Sequence, residues 1–293
     1  MRLAWLFLFW AGLSFGQLKG IIDLHAHCDP DSMPRSVDAL ELARLAQKEG
    51  MRALLLKNHF APTAQLAYIV SHAVSGIQAY GGIVLNGPVG GINAAAIEQM
   101  ARFKGGYGRV VWMPTFDAEN QVRVSKENRP FVPVSRNGVL LPEVIRVIGI
   151  IAREKLALAT GHSSPAEDLM LIREARRAGI TRIIVTHAMF SPVSMSVEQQ
   201  KEAAKLGAYI EFCYNALLPA AGANRLQPAD YVRAIHAVGA EHCVLSSDLG
   251  QANNPVHTEG WKMYLDTLRK AGITESEIDW MARRNPARLL ALE

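Results

Sequence analysis

The chain has 293 residues, 49% hydrophobic and 20% charged, which is ample material for a buried core. Lys and Arg number 31 against 27 Asp and Glu, interspersed without a basic run. The net charge of +4 therefore carries no nucleic-acid footprint, and a pI near 9.0 says little about partners. Three cysteines, Cys28, Cys213 and Cys243, are too few for a disulfide framework and read as small buried hydrophobes.

Residues 1–16 stand apart from the rest. Arg2 precedes an apolar run from Leu3 to Leu13, and Ser14-Phe15-Gly16 ends it with small residues two apart. This predicts a secretory signal peptide cleaved before Gln17, hence an exported protein, periplasmic or secreted, with no stable membrane association after cleavage. The run is short for a bilayer span. An uncleaved anchor or a buried helix is the competing reading.

From residue 17 onward, short apolar runs alternate with amphipathic stretches. Runs at 20–28, 52–60, 81–87, 109–117, 156–162, 182–188, 208–215 and 243–249 read as strands. Between them, Ser36 to Glu49, Leu141 to Glu154, Ala166 to Ala178, Val197 to Leu206 and Pro228 to Val238 read as helices. Gly50, Gly179, Gly207 and Gly239 sit where left-handed C-caps are wanted. Near-continuous apolar strands are those of a parallel sheet buried on both faces. Eight strand-then-helix units predict an α/β fold, a single (β/α)8 TIM barrel over 17–293. A doubly wound open sheet is the alternative, but no G-x-G-x-x-G follows the first strand. The polar stretch 118–140, rich in Arg, reads as an insertion over the barrel mouth, a lid.

In such a barrel the chemistry sits at the C-terminal ends of the strands. Strand 1 ends in His25-Ala26-His27, strand 5 in His162, strand 6 in His187 and strand 8 in Asp248. Strand alternation puts His25 and His27 side by side, with Asp23 below them on the same face. Five metal-type ligands at one end of four strands predict a metal site. His72, His236, His242 and His257 lie in helices or loops.

The order H-x-H on strand 1, His on strands 5 and 6 and Asp on strand 8 resembles the amidohydrolase superfamily of metal-dependent hydrolases. The ending Asn285-Pro286-Ala287-Arg288-Leu289-Leu290 is similar to the N-P-A-x-x-L segment of many members. The segments HAHCDPD, LLLKNHF and VVWMPT look closer to a poorly characterised branch. The resemblance implies that His25, His27 and Asp248 hold one metal, and that His162 and His187 hold a second. In a one-metal site His162 would complete the set and His187 would orient water or substrate. Asp248 would also take a proton from the activated water. One or two divalent transition ions are expected, zinc foremost for histidine ligation, with manganese, iron or nickel also compatible.

Two-metal members place a carboxylated Lys or a Glu at the end of strand 4. This chain has neither there, and Asp117 is the nearest acid. Lys57, on one strand face with His59, is costly in an apolar run unless paired or functional. It reads as a carboxylated bridge, as a catalytic cation for an anionic substrate or oxyanion, or as an ion pair with Glu211. Glu211 itself reads as a metal ligand or as a neutraliser of Lys57 or Arg182. Arg35, His59, Asn86, Asp117 and Glu211 are the candidate substrate-binding residues. Asn86 opens the glycine-rich stretch NGPVGGIN, which also reads as a tight loop.

The expected function is hydrolysis of an amide, ester, lactone or phosphoester in a small-molecule substrate by a metal-activated water. A decarboxylase or other lyase of the same superfamily and a non-catalytic metal or ligand binder are the alternatives. The sequence leaves homo-oligomerisation open.

Overall fold

The structure, a computed structural model, describes residues 16–292, so the signal-peptide expectation lies, Gly16 apart, outside the described residues. Eight strands pair in parallel in chain order: β1 (Ile22–Ala26), β2 (Ala53–Leu56), β3 (Gln78–Val84), β4 (Gly108–Trp112), β5 (Ala157–Ala159), β6 (Ile183–Val185), β7 (Tyr209–Cys213) and β8 (Cys243–Ser246). A parallel bridge from Ala26 to Leu249, just beyond β8, closes the ring. Each expected apolar run overlaps one of these strands, β3 starting three residues and β4 one residue ahead of the expected run, and the fold is a (β/α)8 barrel.

Helices α1 (Ala39–Lys48), α2 (Ala64–Ala73) and α3 (Ala94–Arg102) follow the first three strands. The β4 connection carries α4 (Glu119–Val124) and a small antiparallel hairpin, Ser135–Arg136 with Val139–Leu140, before α5 (Pro142–Arg153). Helix α4 and the hairpin occupy the stretch 118–140. Then come α6 (Pro165–Arg177), α7 (Val197–Lys205), α8 (Pro228–Val238) and α9 (His257–Lys270). Among the described residues no helix is long and apolar enough to cross a membrane. All three cysteines are free and buried.

Alternation divides the apolar residues into two layers. Ile22, Leu24, Leu55, Val84, Val110, Trp112, Ala159, Ile184 and Val244 fill the barrel. Ile21, Ala26, Leu54, Leu56, Val111, Val185, Ile210, Phe212 and Leu245 face the helices. The chain ends in α10 (Glu275–Asp279), one π-helical turn and α11 (Asn285–Leu290). Ala287, Leu289 and Leu290 join the inner cluster, and Asn285 Nδ2 donates to Ala240 O at 3.0 Å and Cys243 O at 2.7 Å. The N-P-A-x-x-L segment thus stops the barrel at the N-terminal end of β8.

The pairing of β1 with β2 slips between Asp23 and Ala26, where an extra residue enters β1. Before this bulge Ile22 and Leu24 point inward; after it Ala26 points outward. The side-chain parity has switched, as a bulge dictates. Asp23 therefore does not share a face with the two histidines, contrary to simple alternation. It points toward α9, where Trp261 Nε1 donates to Oδ2 at 2.9 Å. Its Oδ1 accepts from His25 N at 3.1 Å and Ser247 N at 3.0 Å.

Below the mouth, Trp112 fills the barrel over Gly82. A Cβ on Gly82 would lie 2.6 Å from Trp112 Cζ3 and 2.1 Å from Val110 O. Neither the indole nor the strand can yield without repacking the inner layer. Gly82→Ala is expected to lower stability by about 3 kcal/mol, the upper range for overpacking a core. Urea denaturation measures it, and an unchanged midpoint would contradict this packing.

Candidate metal centre

The bulge turns His25 and His27 into the barrel at the seam with β8. Across the seam Asp248 N donates to His25 O at 2.8 Å, and His27 N to Leu249 O at 2.9 Å. Asp248 Oδ1 lies 3.2 Å from the Nε2 of both His25 and His27. These three buried ligand atoms lie within 4.8 Å of one another. His162 and His187 face each other beside them, Nε2 to Nε2, at 3.0 Å. All five expected ligands line one cavity of about 180 Å³ at the C-terminal end of the strands.

The far ring nitrogens explain which atoms point inward. His27 Nδ1 lies 2.9 Å from Lys57 O, and a proton donated there leaves Nε2 with its lone pair. His25 Nδ1 lies 3.3 Å from Glu211 Oε2, and His162 Nδ1 lies 2.8 Å from Gln121 Oε1. Gln121 belongs to α4, so the insertion supports a ligand; its neighbour Asn120 donates to His162 O and Pro192 O, each at 3.0 Å. His187 Nδ1 is buried without a hydrogen-bond partner. The donor set fits a divalent metal, with imidazole nitrogens and a carboxylate converging and a second shell behind them. A second triad, His25, Glu211 and Cys213, lies behind the first. It reaches His25 through Nδ1, the nitrogen that Glu211 already engages.

Two of the candidate ligands sit in strained backbone. His187 has φ 27° and Asp248 φ 50°, the left-handed region that non-glycine residues avoid. Such strain costs on the order of 1–3 kcal/mol per residue and persists where the surroundings over-determine it. Here His187 N donates to Glu211 Oε2 at 3.0 Å, and Gln251 Nε2 donates to Asp248 O at 2.9 Å.

Lys57 is buried, its Nζ 2.9 Å from His25 Nε2 and 5.5 Å from the centre of the Trp112 ring. His59 and Arg35 also line the cavity. His59 Nδ1 meets Thr115 Oγ1 at 2.8 Å, and its ring stacks on Phe116 with centroids 4.0 Å apart. The other three candidates for substrate contact lie elsewhere. Asn86 is wholly buried, and its amide is fully engaged by His59 O, Thr115 Oγ1 and the backbone of Thr115 and Asp117. Asp117 accepts from Arg129 and Gly87 N, and lines a separate cleft with Pro88 and Val132. Glu211 lies behind His25 and His187, clear of the cavity lining. Strand-end logic did not reach Gln121, Thr115, Phe116, Phe190 and Gln251. They sit in connections, where no periodicity marks them. A larger cleft of about 590 Å³ between the insertion and α6 holds none of the ligands.

Burial sets the charge of the rings. It pushes His27 down to about 3 and His187 to about 4, and drives His59 and His162 well below their ordinary value. Against burial, which raises it, the proximity of His25 and the contact with His27 hold the Asp248 carboxyl well below its usual range. Burial also lowers Lys57. Outside the ligand set, burial pushes His257 down to about 4. In the unfolded chain these histidines titrate near 6.5, so below that pH the unfolded state binds protons that the native state does not. The stability from neutral rings is complete above pH 6.5 and is lost as the pH falls toward 4. Metal-free protein is expected to lose stability steadily as the pH falls through that window. Urea titrations at stepped pH check it; a flat profile would contradict neutral rings.

No curated protein matches the chain. Among solved structures, an organophosphorus hydrolase from Deinococcus radiodurans superposes with a TM-score of 0.58 at 17% identity, over 86% of this chain and 82% of that one. A structure described as organophosphate hydrolysis engineered from a weak promiscuous lactonase template gives 0.59 at 18% identity, over 86% and 85%. An amidohydrolase from Pseudomonas aeruginosa gives 0.65 at 14% identity, over 93% and 95%. At these identities the likeness is one of fold, and it agrees with the amidohydrolase-type barrel that the ligand order resembles. The description "Family of unknown function (DUF6282)" matches residues 20–211, a span that includes His25, His27, Lys57, His162 and His187, and the chain belongs to this family.

Proposed function

We propose that the protein is a metal-dependent hydrolase that cleaves an amide, ester, lactone or phosphoester bond in a small molecule. The observation that carries this reading is the convergence of His25 Nε2, His27 Nε2 and Asp248 Oδ1 beside the His162–His187 pair in one buried cavity. His25, His27 and Asp248 would hold a divalent ion, and His162 and His187 would complete its set or hold a second. Such an ion, when bound, lowers the pKa of water and polarises a carbonyl or phosphoryl oxygen.

The protein's own groups divide the remaining work. Asp248 keeps Oδ1 toward the two histidines while Oδ2 accepts from Asn215 Nδ2 at 3.2 Å. An ionised carboxylate in that place is a suitable proton acceptor. Lys57 supplies a donor beside the ligand set, placed to stabilise an oxyanion. Phe116 and Phe190 form an apolar part of the cavity wall. The lyase reading draws on one specific feature, the end of β4, where Thr115 meets His59 and Asp117 is turned to Arg129. No bridging acid stands there among the described residues.

A panel of 4-nitrophenyl esters, lactones, N-acyl amides and a phosphotriester, assayed with metal-replete protein, tests the proposal. Turnover is expected in at least one class, with Asp248→Asn lowering kcat by about 10²–10⁴ while the fold is retained. Equal turnover by Asp248→Asn, or none in any class, would overturn it.

A further inference from the structure

Arg35 is a buried cation that the ligand set does not use. Its side chain is 2% exposed and that of Asp31 wholly buried. Nε and Nη2 both approach one oxygen, Asp31 Oδ2, at 2.7 Å. Nη2 also lies 3.4 Å from His27 Nδ1, but that nitrogen directs its proton to Lys57 O and has no lone pair to offer. The third contact of the guanidinium is the soft sulfur of Met33, 4.0 Å from Nη2. Among the described residues nothing accepts from Nη1. A guanidinium offers five donors in a fixed fork, so one side of this one is left for a ligand.

The group lines the same cavity as the metal ligands, and its position is fixed. Arg35 pairs with Gln251 in an antiparallel bridge, and Ser36 N donates to Gly250 O at 2.9 Å. Gln251 in turn holds Asp248 O. The cavity lining contains two cations, Arg35 and Lys57, and one carboxylate, Asp248, which faces the histidines. Arg35 Nη2 lies beside His27 Nδ1, and the candidate ligand atom Nε2 is two bonds further round the same imidazole ring. An anion on Arg35 would therefore sit a few bonds from a group reacting at the metal position. A phosphate dianion usually calls for backbone N–H groups or several cations. The glycine-rich connection that could offer such groups is turned away, with Gly87 N engaged by Asp117 Oδ2 at 2.8 Å.

We propose that Arg35 is the seat of a substrate carboxylate, so that the substrates are small amides, esters or lactones bearing a carboxylate a few bonds from the scissile carbonyl. The word substrate rests on the hydrolase reading above; the carboxylate seat does not. The test is therefore binding to metal-free protein, by calorimetry, of succinate against its neutral isostere succinamide. Wild-type protein should bind succinate at least about 10-fold more tightly, the scale of a charge-assisted hydrogen bond. Removing Arg35 alone strands the buried Asp31, so the variant measured is Asp31→Asn with Arg35→Met, which should bind both compounds alike. Arg35→Lys, which keeps a charge for Asp31 but loses the fork, should lose most of the preference and serves if the double variant does not fold. Equal binding of the two compounds by wild type, or full preference in either variant, overturns the proposal. Hydrolysis of neutral esters by metal-replete protein without this preference removes the seat and leaves the hydrolase reading standing. The preference without hydrolysis of any ester or amide supports the seat and removes the hydrolase reading.

Discussion

The site depends on a buried carboxylate at the seam where the first strand meets the last. Asp23 offers no ligand, yet its two oxygens take the N–H of His25, the N–H of Ser247 and the indole of Trp261. The first two of these are backbone donors, one near the end of β1 and one just past β8. By accepting them from the side, Asp23 satisfies the bulge that reverses the parity of β1. Without that reversal Leu24 and Ala26 would face the cavity, and both histidines would face the helices. Burial alone raises the carboxyl of Asp23, and the donors around it work against that cost.

The same seam places the third candidate ligand. Asp248 follows β8 in left-handed backbone, tied by its N–H to His25 O and by its carbonyl to Gln251. Gln251 also pairs with the backbone of Arg35, so Asp248 and the segment that carries the guanidinium are tied together. Across the barrel Glu211 plays a comparable part, meeting the His25 ring and the His187 N–H with one oxygen. Burial disfavours its charge, but the adjacent His25 holds it down to about 2. Buried acids thus hold the scaffold of the centre while imidazoles face the cavity.

Much of this was legible from strand ends. His25, His27, His162, His187 and Asp248 terminate apolar runs, and a parallel barrel brings such ends together whatever the details of packing. Alternation on β7 turns Glu211 to the inner face, because Ile210 and Phe212 belong to the helix layer. Alternation failed at Asp23, since a bulge leaves no mark in a run of five residues. It also could not tell that Asn86 is consumed by four hydrogen bonds, or that Asp117 turns to Arg129. Those outcomes depend on which neighbours arrive from other loops. Gln121 was hidden for the same reason: its partner, His162, is 41 residues away.

Anomalous diffraction from crystals of the purified protein, collected across the absorption edges of zinc, iron, nickel and manganese, tests the central claim most directly. The account predicts a peak about 2.0–2.2 Å from His25 Nε2, His27 Nε2 and a carboxylate oxygen of Asp248. Crystals grown with each of these metals and showing no peak there, or a peak held instead by His25 Nδ1, Glu211 and Cys213, would contradict it.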